Sequence, residues 1–220
     1  MSLVVRTLSE RVFEIVRERI VRGELGDGAQ IRQDALAAEL GVSKIPLREA
    51  LVRLEQEGLI LNQANRGYFV QPLSSAQADE IFALRLSIEP GAAAHAATVA
   101  SEAEQAHAKR AYEALEAAAA GNLSAVAVSN REFHTALVRP GARLLTTNLV
   151  ERLAILAERY VVAHLKPAGR DARANVEHSG LIAAWLARDA VRVEALLAAH
   201  IRGTLEDLRS EFDGKPRANP

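Results

Sequence analysis

Residues 36–59 decide the fold of the N-terminal part and read LAAELGVSKIPLREALVRLEQEGL. Helix-favouring residues run as far as Leu40, Gly41 breaks the pattern, and a second apolar stripe with helical spacing follows. Ser43 is a suitable N-cap for the second helix, because its hydroxyl can accept from an orphan backbone N–H. Pro46 falls in the first turn of that helix, where a missing N–H costs little. The stretch therefore predicts two helices joined by a short turn.

The flanking sequence adds a helix before these two and a β-hairpin after them. Upstream, residues 8–21 carry apolar side chains at helical spacing, and Gly23 follows them as a C-cap. Downstream, two runs with strand character, residues 59–62 and 68–71, are separated by a turn over residues 63–67. Three helices followed by a β-hairpin are typical of a winged helix-turn-helix.

The chain beyond Pro72 is predicted to be helical throughout. Ser74 or Ser75 can cap the first of these helices. The predicted helices lie near residues 76–99, 102–119, 123–138, 143–164, 172–187 and 189–211, with breaks at Gly121–Asn122, Pro140–Gly141, Pro167–Gly169 and around Asp189. Pro90–Gly91 interrupts the first helix, which predicts a kink or two shorter helices.

The sequence thus predicts a mainly α protein of two domains. A winged helix-turn-helix domain of three helices and a small β-hairpin occupies residues 1–72, and an all-α antiparallel helical bundle occupies residues 73–212. Residues 213–220 are polar and are expected to form a disordered tail.

Composition limits the class of protein. The 220 residues are 49% hydrophobic, which suffices for buried cores, and the absence of cysteine excludes disulfides and thiolate metal sites. No apolar run is long enough to cross a bilayer, and the N-terminus lacks the pattern of a secretion signal. We therefore expect a soluble, cytoplasmic protein without a membrane partner. Because the formal net charge is -1, attraction to DNA must come from local placement of charge.

The third predicted helix exposes residues that could read DNA. Lys44 and Arg48 lie one turn apart near its N-terminus, where either could hydrogen-bond guanine. Arg53 is better placed for a phosphate, and Arg66 beside Gly67 could enter the minor groove. Any one of them alone could be an ordinary solvated side chain, but together they fall where this fold presents its DNA-binding face. The candidate DNA-binding residues are Arg32, Gln33, Ser43, Lys44, Ile45, Pro46, Arg48, Arg53, Asn65, Arg66 and Gly67.

These segments also carry a family resemblance. The sequence LAAELGVSKIPLREAL at 36–51, LEQEGL at 54–59 and NRG at 65–67 resembles the DNA-binding domain of GntR-family bacterial regulators. The similarity covers nearly all of residues 8–72 and implies a transcriptional regulator that binds operator DNA. Lys44 stands where the family more often has arginine, so the bidentate guanidinium fork is missing there.

Four polar residues in the helical part form a candidate metal site. Asn130 and His134 lie one turn apart on one helix face, and His178 and His200 each fall within an apolar stripe of a later helix. A packed bundle could bring all four together, although spacing alone favours hydrogen-bonded core histidines. No comparable spacing is shown by the remaining histidines, His95, His107 and His164.

A second resemblance bears on this cluster. NREFHTAL at 130–137, with Asn148–Leu149, Glu177–His178 and His200–Ile201, is similar to the helical ligand-binding domain called FCD, found in the FadR subgroup of the GntR family. The similarity covers about residues 75–210. It implies a divalent metal ion, commonly zinc or nickel, held inside the bundle by an Asp and three His.

The resemblance assigns the ligand positions to Asn130, His134, His178 and His200. Asn130 replaces the usual Asp, and because an amide oxygen brings no charge, metal affinity should be lower. The resemblance also implies that a small organic acid binds at the metal. Arg85 is similar to a family arginine that faces the cavity and could pair with the acid's carboxylate; a snorkelling surface arginine is the alternative.

Three functions compete. A catalytic zinc site would make the protein an enzyme, but an HExxH motif, a nucleophile elbow and a phosphate-binding glycine loop are absent from the sequence. A helical module that only dimerises is a second alternative. We favour a DNA-binding transcriptional regulator, a homodimeric repressor whose operator affinity is modulated by a small carboxylate bound through the metal.

Overall fold

The computed structural model describes residues 7–119, 123–165 and 169–213. Within these ranges the chain forms nine α-helices, one short 3-10 turn and one two-stranded antiparallel sheet, so the mainly α fold class is confirmed. The chain divides into two compact units, one ending at Leu73 and the other beginning at Ser74. The predicted break at Gly121–Asn122, part of that at Pro167–Gly169 and residues 214–220 of the predicted tail lie outside the described residues.

The first unit consists of α1 (Leu8–Arg22), α2 (Gln33–Leu40), α3 (Lys44–Gln56), β1 (Ile60–Gln63) and β2 (Gly67–Val70). A reciprocal cap begins α1: the Thr7 hydroxyl accepts from the Glu10 N–H at 3.2 Å, and the Glu10 carboxylate accepts from the Thr7 N–H at 2.8 Å. Gly23 ends α1 in the left-handed conformation, as predicted. The helices enclose a core of fully buried residues that includes Val16, Leu47, Leu51 and Leu54.

The turn between α2 and α3 is close to the prediction. Gly41 has a φ of 63°, a left-handed conformation that favours glycine, and it ends α2. Ser43 occupies the N-cap position of α3, but its side chain makes no capping hydrogen bond. The prediction that its hydroxyl caps the helix is therefore wrong, although the helix start is right.

The hairpin is tied to the chain that precedes α2. β1 and β2 pair antiparallel, with Ile60 opposite Val70 at one end and Gln63 opposite Gly67 at the other. Each strand lies one residue closer to the turn than the predicted runs, 59–62 and 68–71. Asn65, with a φ of 62°, allows this tight turn. An isolated bridge from Gln30 to Phe69 fixes the hairpin against the rest of the unit.

The second unit consists of α4 (Ser75–Val99), α5 (Glu102–Ala119), α6 (Leu123–Val138), α7 (Leu144–Leu165), α8 (Arg170–Leu186) and α9 (Ala190–Asp213), with a 3-10 turn at Arg139–Gly141. The Ser74 side chain caps α4 by accepting from the Gln77 N–H. α4 runs unbroken through Pro90, so of the two predicted alternatives, a kink or two shorter helices, the second is wrong. None of the described helices has the length and hydropathy needed to cross a membrane.

Packing in this unit depends on small residues along α4. Ala93, Ala96 and Ala97 are fully buried, which lets neighbouring helices approach α4 closely, and α9 packs along it. The indole N–H of the buried Trp185 on α8 donates to the Leu137 carbonyl at 3.0 Å, which fixes α8 against the end of α6. Helices from distant parts of the sequence thereby converge on one interior.

Arg188 caps the C-terminus of α4 from the turn between α8 and α9. Its guanidinium donates to the carbonyls of Ala97 at 3.2 Å, Thr98 at 2.9 Å and Ala100. These carbonyls belong to the last turn of the helix and the residue after it, where intrahelical partners are missing. The backbone of Arg188 has a φ of 59°, a left-handed conformation that costs free energy for a non-glycine residue. The hydrogen bonds of its guanidinium offset this strain.

We predict that Arg188→Ala lowers the free energy of unfolding of the helical unit by about 1–2 kcal/mol, because the carbonyls lose a charged donor while alanine keeps the strained φ. Urea unfolding followed by the fluorescence of Trp185, the single tryptophan, measures this unit. Arg192→Ala, which removes an exposed arginine from the same region, should leave stability within about 0.5 kcal/mol. An equal loss in both variants would show that the cap contributes nothing specific.

Candidate metal centre and nucleic-acid interface

Three histidines from three helices meet inside the helical unit. His134 of α6, His178 of α8 and His200 of α9 each offer a ring nitrogen, and these nitrogens lie within 4.8 Å of one another. The Nε2 atoms of His178 and His200 are 3.3 Å apart. Nitrogens bound to a tetrahedral zinc at about 2.0–2.1 Å are themselves about 3.3–3.4 Å apart, so the spacing suits one shared ion. Without a metal, the same distance allows an N–H···N hydrogen bond.

Burial keeps two of the three histidines, His134 and His178, uncharged. His134 is 1% exposed, and desolvation lowers its pKa to about 4. Desolvation likewise holds the pKa of His178 well below 6.5. Both rings are therefore neutral at pH 7, the form in which imidazole binds a metal.

The triad leaves buried polar atoms unsatisfied. Three ring nitrogens lack a hydrogen-bond partner within the part of the chain that the structure describes: both nitrogens of His134, and Nδ1 of His178. A buried polar atom without a hydrogen-bond partner costs free energy, and a bound metal would give these nitrogens a partner. The donor set of nitrogens with a neighbouring amide therefore fits a divalent ion.

A cavity adjoins the triad. The space open to the centres of water molecules is about 80 Å³, and His178 and His200 form part of its wall. Asn130, the predicted fourth ligand, is buried and lies on the same wall. The other polar residues on the wall are Arg85, His164, Asp171, Asn175 and Thr204. A mixed polar and apolar wall of this kind suits a small polar molecule.

Arg85 lies on the cavity wall but already has a partner. Its Nε and Nη2 donate to the two Glu89 oxygens at 2.6 and 3.1 Å, and both side chains are at most 3% exposed. Burial alone would raise the pKa of Glu89, but the Arg85 guanidinium holds it below the usual range, at about 2. The pair is therefore ionised, and the alternative of a snorkelling surface arginine is wrong.

Three residues near the centre were missed by sequence reasoning. Glu177 accepts a hydrogen bond from His200 Nδ1 at 2.7 Å, and Glu89 lies 3.4 Å from His134 Nδ1. His164 is buried on the cavity wall, 3.4 Å from the carboxylate of Asp207. Glu89 follows Arg85 by four residues on one helix, a spacing that could have pointed to their pairing. Glu177 and His164 each contact a residue on a different helix, so no pattern of neighbouring residues predicts these contacts.

The exposed face of α3 carries the predicted base-reading residues. Arg48 is exposed, and Ile45 leaves 70% of its surface open to solvent. The ammonium group of Lys44 is paired with Asp34 of α2 at 2.7 Å. Ser43 is exposed and Pro46 is half-buried beside them, so these residues form one continuous surface at the start of α3.

The remaining candidates surround this surface. The Arg53 guanidinium lies over the Phe13 ring at 4.0 Å, and that of Arg66 lies 5.4 Å from the Phe69 ring, so both cations are held in place by aromatic contacts. The other candidates are Arg32 and Gln33 at the start of α2, and Asn65 and Gly67 beside Arg66 in the hairpin turn.

Comparison with known proteins finds relatives over the whole chain. The family model described as bacterial regulatory proteins, gntR family, matches residues 8–70, and the FCD domain model matches residues 80–203. The HTH-type transcriptional regulator BphR of Paraburkholderia xenovorans is 29% identical over 215 residues, covering 93% of this chain and 86% of BphR. The HTH-type transcriptional repressor RspR of Escherichia coli is 29% identical over 97 residues, covering 44% of this chain and 42% of RspR.

Solved structures show the same fold. Escherichia coli McbR/YncC matches with a TM-score of 0.77 and 23% identity, covering 94% of this chain and 100% of that one. A transcriptional regulator GntR from Rhodococcus sp. RHA1 matches with a TM-score of 0.73 and 20% identity, covering 95% of this chain and 99% of that one. The match to the FCD model alone spans more than half of the chain. The chain therefore belongs to the GntR family of bacterial regulatory proteins, as a transcriptional regulator that joins a GntR DNA-binding domain to an FCD domain.

Proposed function

We propose that the protein is a homodimeric, ligand-responsive repressor. Residues 1–72 bind operator DNA, and residues 73–212 bind a small carboxylate and form the dimer. The observation that carries this proposal is the histidine triad, with His134 and His178 buried, beside a cavity with a mixed polar and apolar wall. Repression is supported by the similarity to RspR, whose name describes it as a repressor.

The proposed metal ion is zinc or nickel. His134, His178 and His200 would hold it, and Asn130, which lines the adjoining cavity, would contribute an amide oxygen. When bound, the ion supplies positive charge and open coordination positions for an oxygen of the effector. Arg85 completes the effector site; because Glu89 already occupies its guanidinium, an incoming carboxylate must share it or displace Glu89.

The DNA-binding half of the proposal rests on the exposed start of α3. In a two-fold symmetric dimer, two α3 helices enter successive major grooves of a pseudo-palindromic operator. Arg48 and Lys44 read base edges, and Arg53 and Arg66 contact the backbone and the minor groove. Effector binding changes operator affinity through a coupling free energy of about 1–3 kcal/mol. Because operator DNA lies in the bacterial cytoplasm, we propose that the protein acts there.

We predict that Arg48→Ala weakens operator binding by about 1–3 kcal/mol and relaxes the preference at one base pair, because a bidentate contact to guanine is lost. The operator is first selected from random duplexes with the wild-type protein, and affinities are then compared by fluorescence anisotropy at one salt concentration. Arg22→Ala is the matched control, since Arg22 is engaged by Glu18 on the same helix. A wild-type base profile in Arg48→Ala would remove Arg48 from the reading face.

We predict that His178→Ala reduces zinc affinity by more than about 100-fold, because it removes a direct ligand. Loss of a residue that only hydrogen-bonds to a ligand typically reduces metal affinity by roughly 10- to 100-fold. Zinc binding is measured on the full-length protein by competition with a chromophoric chelator. His107→Ala removes an exposed histidine of α5 and should bind zinc like the wild type. Equal zinc affinity in the two variants would contradict the triad as the metal site.

We predict that at least one small carboxylate changes the operator affinity of the zinc-loaded protein by about 5- to 150-fold. The probes are acetate, succinate, citrate and gluconate, which span one to three carboxylates and added hydroxyls. The same titration after zinc is removed with EDTA should show a weaker response. If none of these acids alters operator affinity with zinc supplied, the sensor proposal fails while membership of the GntR family stands.

A further inference from the structure

Two carboxylates stand behind the histidine triad without belonging to the proposed ligand set. We propose that Glu177 is a positioning residue, which holds His200 in the tautomer and orientation needed to bind the metal, and that the charge of Glu89, 3.4 Å from Nδ1 of His134, helps to orient the His134 ring. This inference rests on the proposed metal site and deepens it.

The contact between Glu177 and His200 fixes which ring nitrogen faces the triad. Glu177 Oε2 lies 2.7 Å from His200 Nδ1. A glutamate carboxylate is ordinarily ionised at pH 7, and an ionised carboxylate can only accept a hydrogen bond. Nδ1 must then carry the proton, which leaves the Nε2 lone pair free. This Nε2 is the atom that lies 3.3 Å from Nε2 of His178.

Glu177 is itself held in place. Arg173, one turn earlier on α8, lies 3.5 Å from Glu177 Oε1 and also pairs with Asp207 of α9. The two oxygens of Glu177 are thus engaged on opposite sides, one by the arginine and one by the histidine. Because Glu177 directly precedes His178, one turn of α8 supplies both a ligand and the carboxylate that orients a ligand on α9.

Glu89 stands behind His134 at a longer distance. Its Oε2 lies 3.4 Å from His134 Nδ1, and the pair with Arg85 prevents the carboxylate from turning away. Two of the three rings therefore have a carboxylate at Nδ1. The Nδ1 atom of His178 has no hydrogen-bond partner within the described ranges.

These carboxylates compensate for the uncharged ligand set. Three neutral imidazoles and the Asn130 amide bring no negative charge to a divalent ion. A carboxylate that accepts from the far side of an imidazole makes the ring a stronger donor. The charge of Glu89 is balanced by Arg85 alone, whereas Arg173 is shared between Glu177 and Asp207. Glu177 should therefore contribute more to metal affinity than Glu89.

Zinc affinity of the full-length protein tests this role. Wild type, Glu177→Ala, Glu177→Gln and Glu89→Gln are freed of metal and titrated with zinc against a chromophoric chelator at pH 7. We expect Glu177→Ala to bind about 10- to 100-fold more weakly. Glu177→Gln should fall between it and wild type, since the amide oxygen still accepts from Nδ1 but carries no charge. Glu194→Gln, an exposed glutamate of α9, is the matched control and should bind like wild type.

A second measurement separates positioning from a structural link between α8 and α9. Nitrogen-15 NMR of the metal-free protein reports which ring nitrogen of His200 is protonated. We expect Nδ1–H in wild type and in Glu177→Gln, and a substantial Nε2–H population in Glu177→Ala. Thermal unfolding of the metal-free variants checks that each is folded.

The outcomes separate the two proposals. If the wild type fails to bind zinc, the metal site itself is overturned. If wild type binds zinc and Glu177→Ala, Glu177→Gln and Glu89→Gln all match it, the metal site stands and the positioning role is overturned. A drop in affinity in Glu177→Ala with His200 still protonated at Nδ1 also overturns it, because the carboxylate then does not set the tautomer.

Discussion

A buried imidazole must find partners for two ring nitrogens, and the interior of the helical unit is arranged around that requirement. His134 and His178 are neutral at pH 7 because burial disfavours their charge, yet three of their four ring nitrogens lack a hydrogen bond within the described residues. Burying polar groups in this way costs free energy. Proteins commonly retain such a cost at functional sites, which supports the proposal that the triad binds a ligand.

The surrounding charges are paired rather than free. Arg85 and Glu89 are both ionised and buried, and their bidentate contact makes the pair neutral as a whole. A second group of charges, formed by Arg173, Glu177 and Asp207, links α8 to α9 beside His200. The cavity therefore offers an incoming anion no unpaired arginine among the charges described here. The proposed effector therefore has to share Arg85 with Glu89 or displace Glu89, and displacement would alter the contacts around Arg85.

The sequence predicts what depends on neighbouring residues and misses what depends on distant ones. Gly23, Gly41 and Ser74 mark helix ends because backbone geometry and capping are local. The sequence left open whether α4 continues through Pro90, because that depends on how neighbouring elements bury the helix. The histidine triad could be predicted only with the help of a family resemblance, because its members lie on three helices. The hydrogen bond of Glu177 to His200 joins residues on two helices, and neither residue has a local pattern that reveals it.

The ion pair between Lys44 and Asp34 has a consequence for how the protein searches the chromosome. A cation already neutralised within its own domain displaces fewer counterions from an arbitrary duplex, so it adds little to non-specific affinity. In the proposed complex with operator DNA, a base edge or phosphate has to displace Asp34 from Lys44. The pair is thus an internal competitor, whose displacement favours complexes in which Lys44 finds a well-placed partner.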